Sequence, residues 1–99
     1  MNRWFHPEAR AEFLESIRYY EKHRRGLGRH FLEAVTEALR DVQAHPDMYP
    51  VVTGTWRRCR VPKFPYGIIY RITGQSIQVV AVMHLHRQPG YWRHRPAGS

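Results

Sequence analysis

The sequence predicts an α+β fold in which two helices pack on one face of a small sheet, in the order strand, helix, helix, strand, strand, strand. Three observations lead there. Apolar residues recur every three or four positions through the first half, the period changes to two beyond residue 55, and breaks containing Gly or Pro separate the segments. Ninety-nine residues suit a single domain, 1–99, burying roughly two-thirds of its unfolded surface.

"RWFH" reads as a short strand, after which Pro7 takes the first-turn position that tolerates a missing N–H. Glu8 and Glu12 fall in the first turns, where negative charge suits the helix dipole. Ala9, Phe13, Ile17 and Tyr20 give one apolar face from about 8 to 24. "RGLG" at 25–28 breaks that helix. A second face follows in Phe31, Val35, Ala38 and Val42, flanked by Leu32 and Leu39, until "HPD" at 45–47 ends it. The pair is a helical hairpin and reads as scaffold.

A loop is expected over 46–55, then strands at "WRRCRVP" (56–62), "YGIIYRIT" (66–73) and "SIQVVAVMH" (76–84). Gly74-Gln75, with glycine leading, predicts a type II′ hairpin turn. The consecutive apolar run from Val79 to Met83 places the last strand inside the sheet with both faces covered. The tail 96–99 is expected to be disordered.

Charge is distributed unevenly. The formal net charge is +8, and all eight acidic residues lie in 1–50, where eight Lys and Arg balance them. Residues 51–99 carry the other eight cations and no carboxylate side chain. A balanced half suits a solvated helical surface, whereas an acid-free basic half presents a field to something negative, either nucleic acid or an acidic protein. The single Cys59 forms no internal disulfide. With no apolar leader and no membrane-length run, a cytoplasmic setting is expected.

Arg57, Arg58, Arg60 and Lys63 crowd the first strand of the meander. Alternation turns Cys59 and Arg57 to one face and Arg58 and Arg60 to the other, with Cys59 as a small core residue. Charged edges also protect sheets from aggregation, but four cations in seven residues exceed that need and favour an anionic partner. His84 and His86 have metal-like spacing on a strand end. The second half offers no carboxylate and one thiol to complete a set, so no metal and no cofactor are expected. Tyr70 shares a face with Ile68 and Ile72 and reads as cross-strand packing, with Arg71 opposite. In "PGYWRHR" the aromatics and cations suit either capping of the core or gripping a partner. Metal-free RNA cleavage needs a base, an acid and phosphate-binding cations, and His84, His86, Arg87 and Tyr91 are the candidates.

The words "RRCRVPKFPYGIIYRI" and "VVAVMHLHRQPGYWRHR" resemble toxins of the RelE/ParE superfamily from bacterial type II toxin–antitoxin modules. The likeness runs from "FHPEARAEF" to "YWRHR"; its most specific features are "FPY-x-IIYRI" and "H-x-x-R-x-P-x-YW". It implies a helical hairpin on a small, largely antiparallel sheet. It also implies one of two activities, ribosome-dependent mRNA cleavage without a metal (RelE-like) or poisoning of DNA gyrase (ParE-like). RelE's catalytic arginine at the start of the strand corresponds to Gly67, and its second arginine to Leu85. Arg87 and Tyr91 match an arginine and the functional tyrosine, and Lys63 lies near the basic cluster. Losing two phosphate-stabilising guanidiniums removes roughly 2–3 kcal/mol of transition-state stabilisation per group, and the "FPY" and "YW" words are typical of ParE.

The expectation is therefore a ParE-like gyrase inhibitor with Arg58, Arg60, Lys63, His84, Arg87, Tyr91 and Trp92 as target contacts. The alternative is a RelE-like endoribonuclease using His84, His86, Arg87 and Tyr91; a chain that only binds antitoxin is a third reading. The toxin readings imply a cognate acidic antitoxin, with a helix beside the hairpin and a strand at a sheet edge.

Overall fold

The computed structural model describes residues 2–95; the tail 96–99 lies outside the described residues. The chain runs β1 (Asn2–Phe5), α1 (Pro7–His23), α2 (Leu27–Ala44), β2 (Val51–Thr53), β3 (Trp56–Arg60), β4 (Tyr66–Thr73), β5 (Ser76–His84) and a 3₁₀ turn (Tyr91–His94). The sheet order is β1-β5-β4-β3-β2, antiparallel except where β1 pairs with β5. This is the α+β arrangement expected.

Pro7 occupies the first turn of α1, and the His6 ring caps it by accepting the Glu8 N–H through Nδ1 at 3.1 Å. The hairpin turn depends on two contacts. The Glu21 carboxylate of α1 accepts the N–H groups of Gly26 and Gly28 at 3.0–3.1 Å, covering the open donors at the start of α2. Gly28 lets the helices meet, because a Cβ there would stand 2.6 Å from the backbone oxygen of Ile17.

Two expectations need correction. Residues 46–55 are not all loop, since Val51–Thr53 turn back at Gly54 and pair with β3. The strand is three residues long with both valines exposed, too short to show an alternating pattern. β3 stops at Arg60 rather than Pro62. Pro62 has no N–H to donate, and Lys63 adopts φ 68°, the one positive φ of a non-glycine among the described residues. β4 and β5 have the predicted bounds, and Gly74 leads their turn at φ 60°.

β5 is buried on both faces through a bulge. Ile69 pairs with Ala81 and Tyr70 with Val79, leaving Val80 without a partner on β4. Val79 and Val82 join the core under the helices with Phe31, Val35, Ile68 and Tyr70. Val80, Ala81 and Met83 face the other side with Ile69 and Trp92. Each fully buried side chain of this size contributes about 1.5–3 kcal/mol. Aromatic rings join hairpin to sheet: Phe31 stands 4.8 Å from Tyr66 and 5.1 Å from Phe64, and Tyr20 is 5.0 Å from Phe64. "FPY" thus acts through packing.

Gly28→Ala is expected to lower stability by about 1–3 kcal/mol through overpacking against backbone, seen as a drop in Tm of roughly 4–8 °C per kcal/mol. An unchanged melting curve would contradict the close approach.

Candidate target-contacting site

β1 ends opposite Val79, so among the described residues the outer edge of β5 beyond that point has no neighbouring strand. Its polar groups are covered by side chains. Glu12 of α1 accepts the Val82 N–H at 3.1 Å, and Arg95 donates to the Val80 carbonyl at 2.8 Å. These two side chains also bind each other in a fork, with Nη1 and Nη2 of Arg95 3.0 and 2.8 Å from the two Glu12 oxygens. The Arg95 Nε, also buried, makes no hydrogen bond among the described residues and faces Glu8 at 3.8 Å.

Residues 85–95 fold back across the sheet to reach this point. Leu85 donates to the Pro65 carbonyl, Gly90 turns the chain at φ 77°, and the 3₁₀ turn sets Trp92 into the second apolar cluster. Trp92 meets Trp56 edge-on at 5.5 Å; Arg71 lies 4.7 Å over Trp56 and donates to Gln78 at 2.8 Å. The Tyr91 hydroxyl donates to Glu12 at 2.5 Å, and Arg87 reaches the same carboxylate at 3.3 Å while stacked 3.8 Å over the Tyr91 ring. Burial, together with the Glu12 carboxylate, pushes the Tyr91 phenol well above its ordinary range. Burial works against charge on Arg95, but Glu12 more than offsets it and holds the guanidinium protonated.

The seven expected contact residues occupy three places. Arg58, Arg87 and Trp92 line one hollow on the face away from the helices, together with Arg93 and a floor that includes Ile69 and Met83. Arg60 projects exposed from the same strand face as Arg58, and Tyr91 turns to Glu12 at the sheet edge. His84 is elsewhere. It pairs with Tyr66 and faces a hollow lined by Tyr19, Tyr20, His23 and Leu27 on the helical side. Its Nδ1 accepts the His86 N–H at 3.1 Å, so a neutral His84 ring carries its proton on Nε2, and the two imidazoles stand 5.0 Å apart. Lys63 lines a third hollow, with His30, Glu33 and Phe64. Among the described residues no three His, Cys, Asp or Glu side chains group as a metal site.

Arg93, Arg95 and Glu12 lie outside the residues that the sequence pattern points to. Arg93 and Arg95 were visible only as tail cations; Glu12 carried no signal beyond its place near a helix start.

A helical hairpin on a five-stranded, largely antiparallel sheet is the architecture that the sequence resemblance implied. The chain belongs to the ParE toxin family, described as ParE toxin of the type II toxin–antitoxin system, parDE, whose model matches residues 4–89. Among solved structures, a chain of the chromosomal ParDE toxin–antitoxin system from P. aeruginosa is similar in fold. Its TM-score is 0.63 at 17% identity, covering 85% of this chain and 95% of that one. No curated protein sequence matches. No helix among the described residues is long and apolar enough to cross a membrane.

Removing the shared acceptor should strand the buried cation. The Arg95 side chain is 5% exposed and that of Glu12 14%, so Glu12→Ala is expected to cost about 3 kcal/mol, measured by urea unfolding. A cost below that of an ordinary surface substitution would contradict the buried pairing.

Burial raises the Tyr70 phenol to about 12, and its hydroxyl donates to the Pro46 carbonyl at 2.5 Å. A raised phenol stabilises the fold fully below its unfolded value, 10.0, and that contribution is lost as pH climbs through the folded value. Stability should therefore fall from about pH 10 upward. Tyrosinate absorbance should show Tyr70 ionising only near pH 12; its ionisation near 10 would refute the assignment.

Proposed function

We propose that this ParE-family toxin acts in the cytoplasm by inhibiting DNA gyrase, with the basic sheet face and the C-terminal segment as its contact surface, and is neutralised by an acidic antitoxin. The match of residues 4–89 to the ParE family carries the reading. Arg58, Arg60, Arg87, Trp92 and the Tyr91 beside them serve as contacts or hold contacts in place; Lys63 and His84 would meet the target only if it wraps around the sheet end.

The geometry favours inhibition by contact over RNA cleavage. A nuclease needs its proton-transfer groups within hydrogen-bond reach of one phosphate. The Tyr91 hydroxyl already donates to Glu12, Arg87 shares that acceptor, and His84 lies on the helical face, opposite Arg58.

An apolar hollow between the helices and β1 is lined by Phe5, Phe13, Leu14 and Leu32, with Arg3 and Arg10 beside them. It suits the apolar face of an acidic amphipathic helix. The exposed edge of β2, with Val51 and Val52, suits an added strand.

The purified chain is expected to stall supercoiling by gyrase and to leave ribosome-bound mRNA intact. Cleavage of mRNA that drops about 10²–10⁴-fold in His84→Ala or His86→Ala would replace this reading with the nuclease. Alanine at one surface contact should instead weaken gyrase inhibition by about 1–2 kcal/mol.

A further inference from the structure

We propose that the hollow between Arg58 and Arg93 is a phosphate-binding subsite that takes a backbone phosphate of a nucleic acid strand. Three arginines line it, each from a different segment: Arg58 from β3, Arg93 from the 3₁₀ turn, and Arg87 from the turn after β5, whose guanidinium also reaches Glu12. Among the described residues the guanidiniums of Arg58 and Arg93 have no carboxylate or hydrogen-bond partner, whereas Arg57, Arg71, Arg87 and Arg95 are all tied internally. Like charges brought together without a counter-charge repel, and a bound anion relieves that repulsion.

Two glycines hold the arrangement. A Cβ on Gly67 would stand 3.1 Å from Cδ of Arg58, and a Cβ on Gly90 would stand 2.8 Å from Nε of Arg93. Each arginine thus lies against bare backbone, positioned before any ligand arrives. The Gly90 φ of 77° adds a second reason for glycine there.

The anion's class follows from shape. A planar carboxylate is satisfied by one forked arginine, as Glu12 is by Arg95. Two unpaired guanidiniums arriving from different segments, with Arg87 beside them, suit a tetrahedral group with oxygens in several directions. The hollow encloses about 110 Å³, room for a phosphate with some water and too little for a nucleoside. Trp92 is 3% exposed, so no base stacks on it and the contact is to backbone alone. Arg60, two residues from Arg58 on the same exposed face, offers a second cation about 6.7 Å further along the strand. That spacing is comparable to the step between successive phosphates. A continuous nucleic acid strand therefore fits better than an isolated phosphate.

The inference deepens the gyrase reading and rests on it only for which nucleic acid is met: DNA that the enzyme holds. The binding itself is measured without gyrase. The full chain is titrated with a short single-stranded DNA by fluorescence anisotropy across salt concentrations, and with inorganic phosphate by the NMR signals of arginine Nε–H groups. Arg58→Gln and Arg93→Gln should each weaken DNA binding about tenfold and lower the salt slope by about one. The equally charge-removing Arg40→Gln, exposed on α2, should change the affinity far less. Phosphate should shift the Arg58 and Arg93 signals. Equal weakening by all three substitutions would show general attraction to a basic protein and overturn the subsite, as would phosphate shifts confined to other arginines. DNA binding that behaves as predicted in a chain without effect on gyrase would uphold the subsite and remove the gyrase reading.

Discussion

One carboxylate organises the β5 edge and the C-terminal segment. Glu12, on the first helix, is the acceptor for Val82 of the sheet and for Arg87, Tyr91 and Arg95 of the C-terminal segment. It is needed because β1 is short. The strand leaves β5 after Val79, and a sheet edge without a partner must find donors and acceptors elsewhere or lose their desolvation energy. Glu12 and Arg95 together take the place of the missing strand. The same bonds bring the last residues of the fold back over the face that the helices do not cover.

That placement decides the chemistry of the surface. The helical face closes over Phe31, Phe64 and Tyr66, while the opposite face is sealed by Trp92 and Trp56 rather than by another element of regular structure. Cations on it divide into two groups. Arg87 and Arg95 are consumed in stacking and hydrogen bonds that hold the segment down, and Arg71 is held within the sheet by Trp56 and Gln78. Arg58, Arg60 and Arg93 are left without a carboxylate partner among the described residues. An unbalanced cationic surface of this kind is suited to binding an anionic partner.

The sequence showed most of the fold because the period changes are clear and β4 and β5 are bounded by Pro65, Gly74 and the polar residues after His84. It did not show β2, whose three residues expose both valines, nor the bulge at Val80. The bulge decides on which face His84 lies. Strict alternation from Val79 would put His84 on the face away from the helices; the extra residue returns it to the helical side, beside Tyr66. A reading by residue type alone therefore grouped His84 with Arg58, and the sheet separates them. The Glu12 contacts were invisible for another reason. They join residues about eighty positions apart, and nothing local in "ARAEFLES" distinguishes Glu12 from Glu15.

Glu12 completes the β5 edge and thereby holds the C-terminal segment in place. Amide hydrogen exchange at Val82 tests it most directly. Protection of Val82 should be comparable to that of Ile68 in the native chain, and should collapse in Glu12→Ala while Ile68 stays protected. A Val82 amide that exchanges freely in the native chain, or one equally protected in both chains, would contradict it.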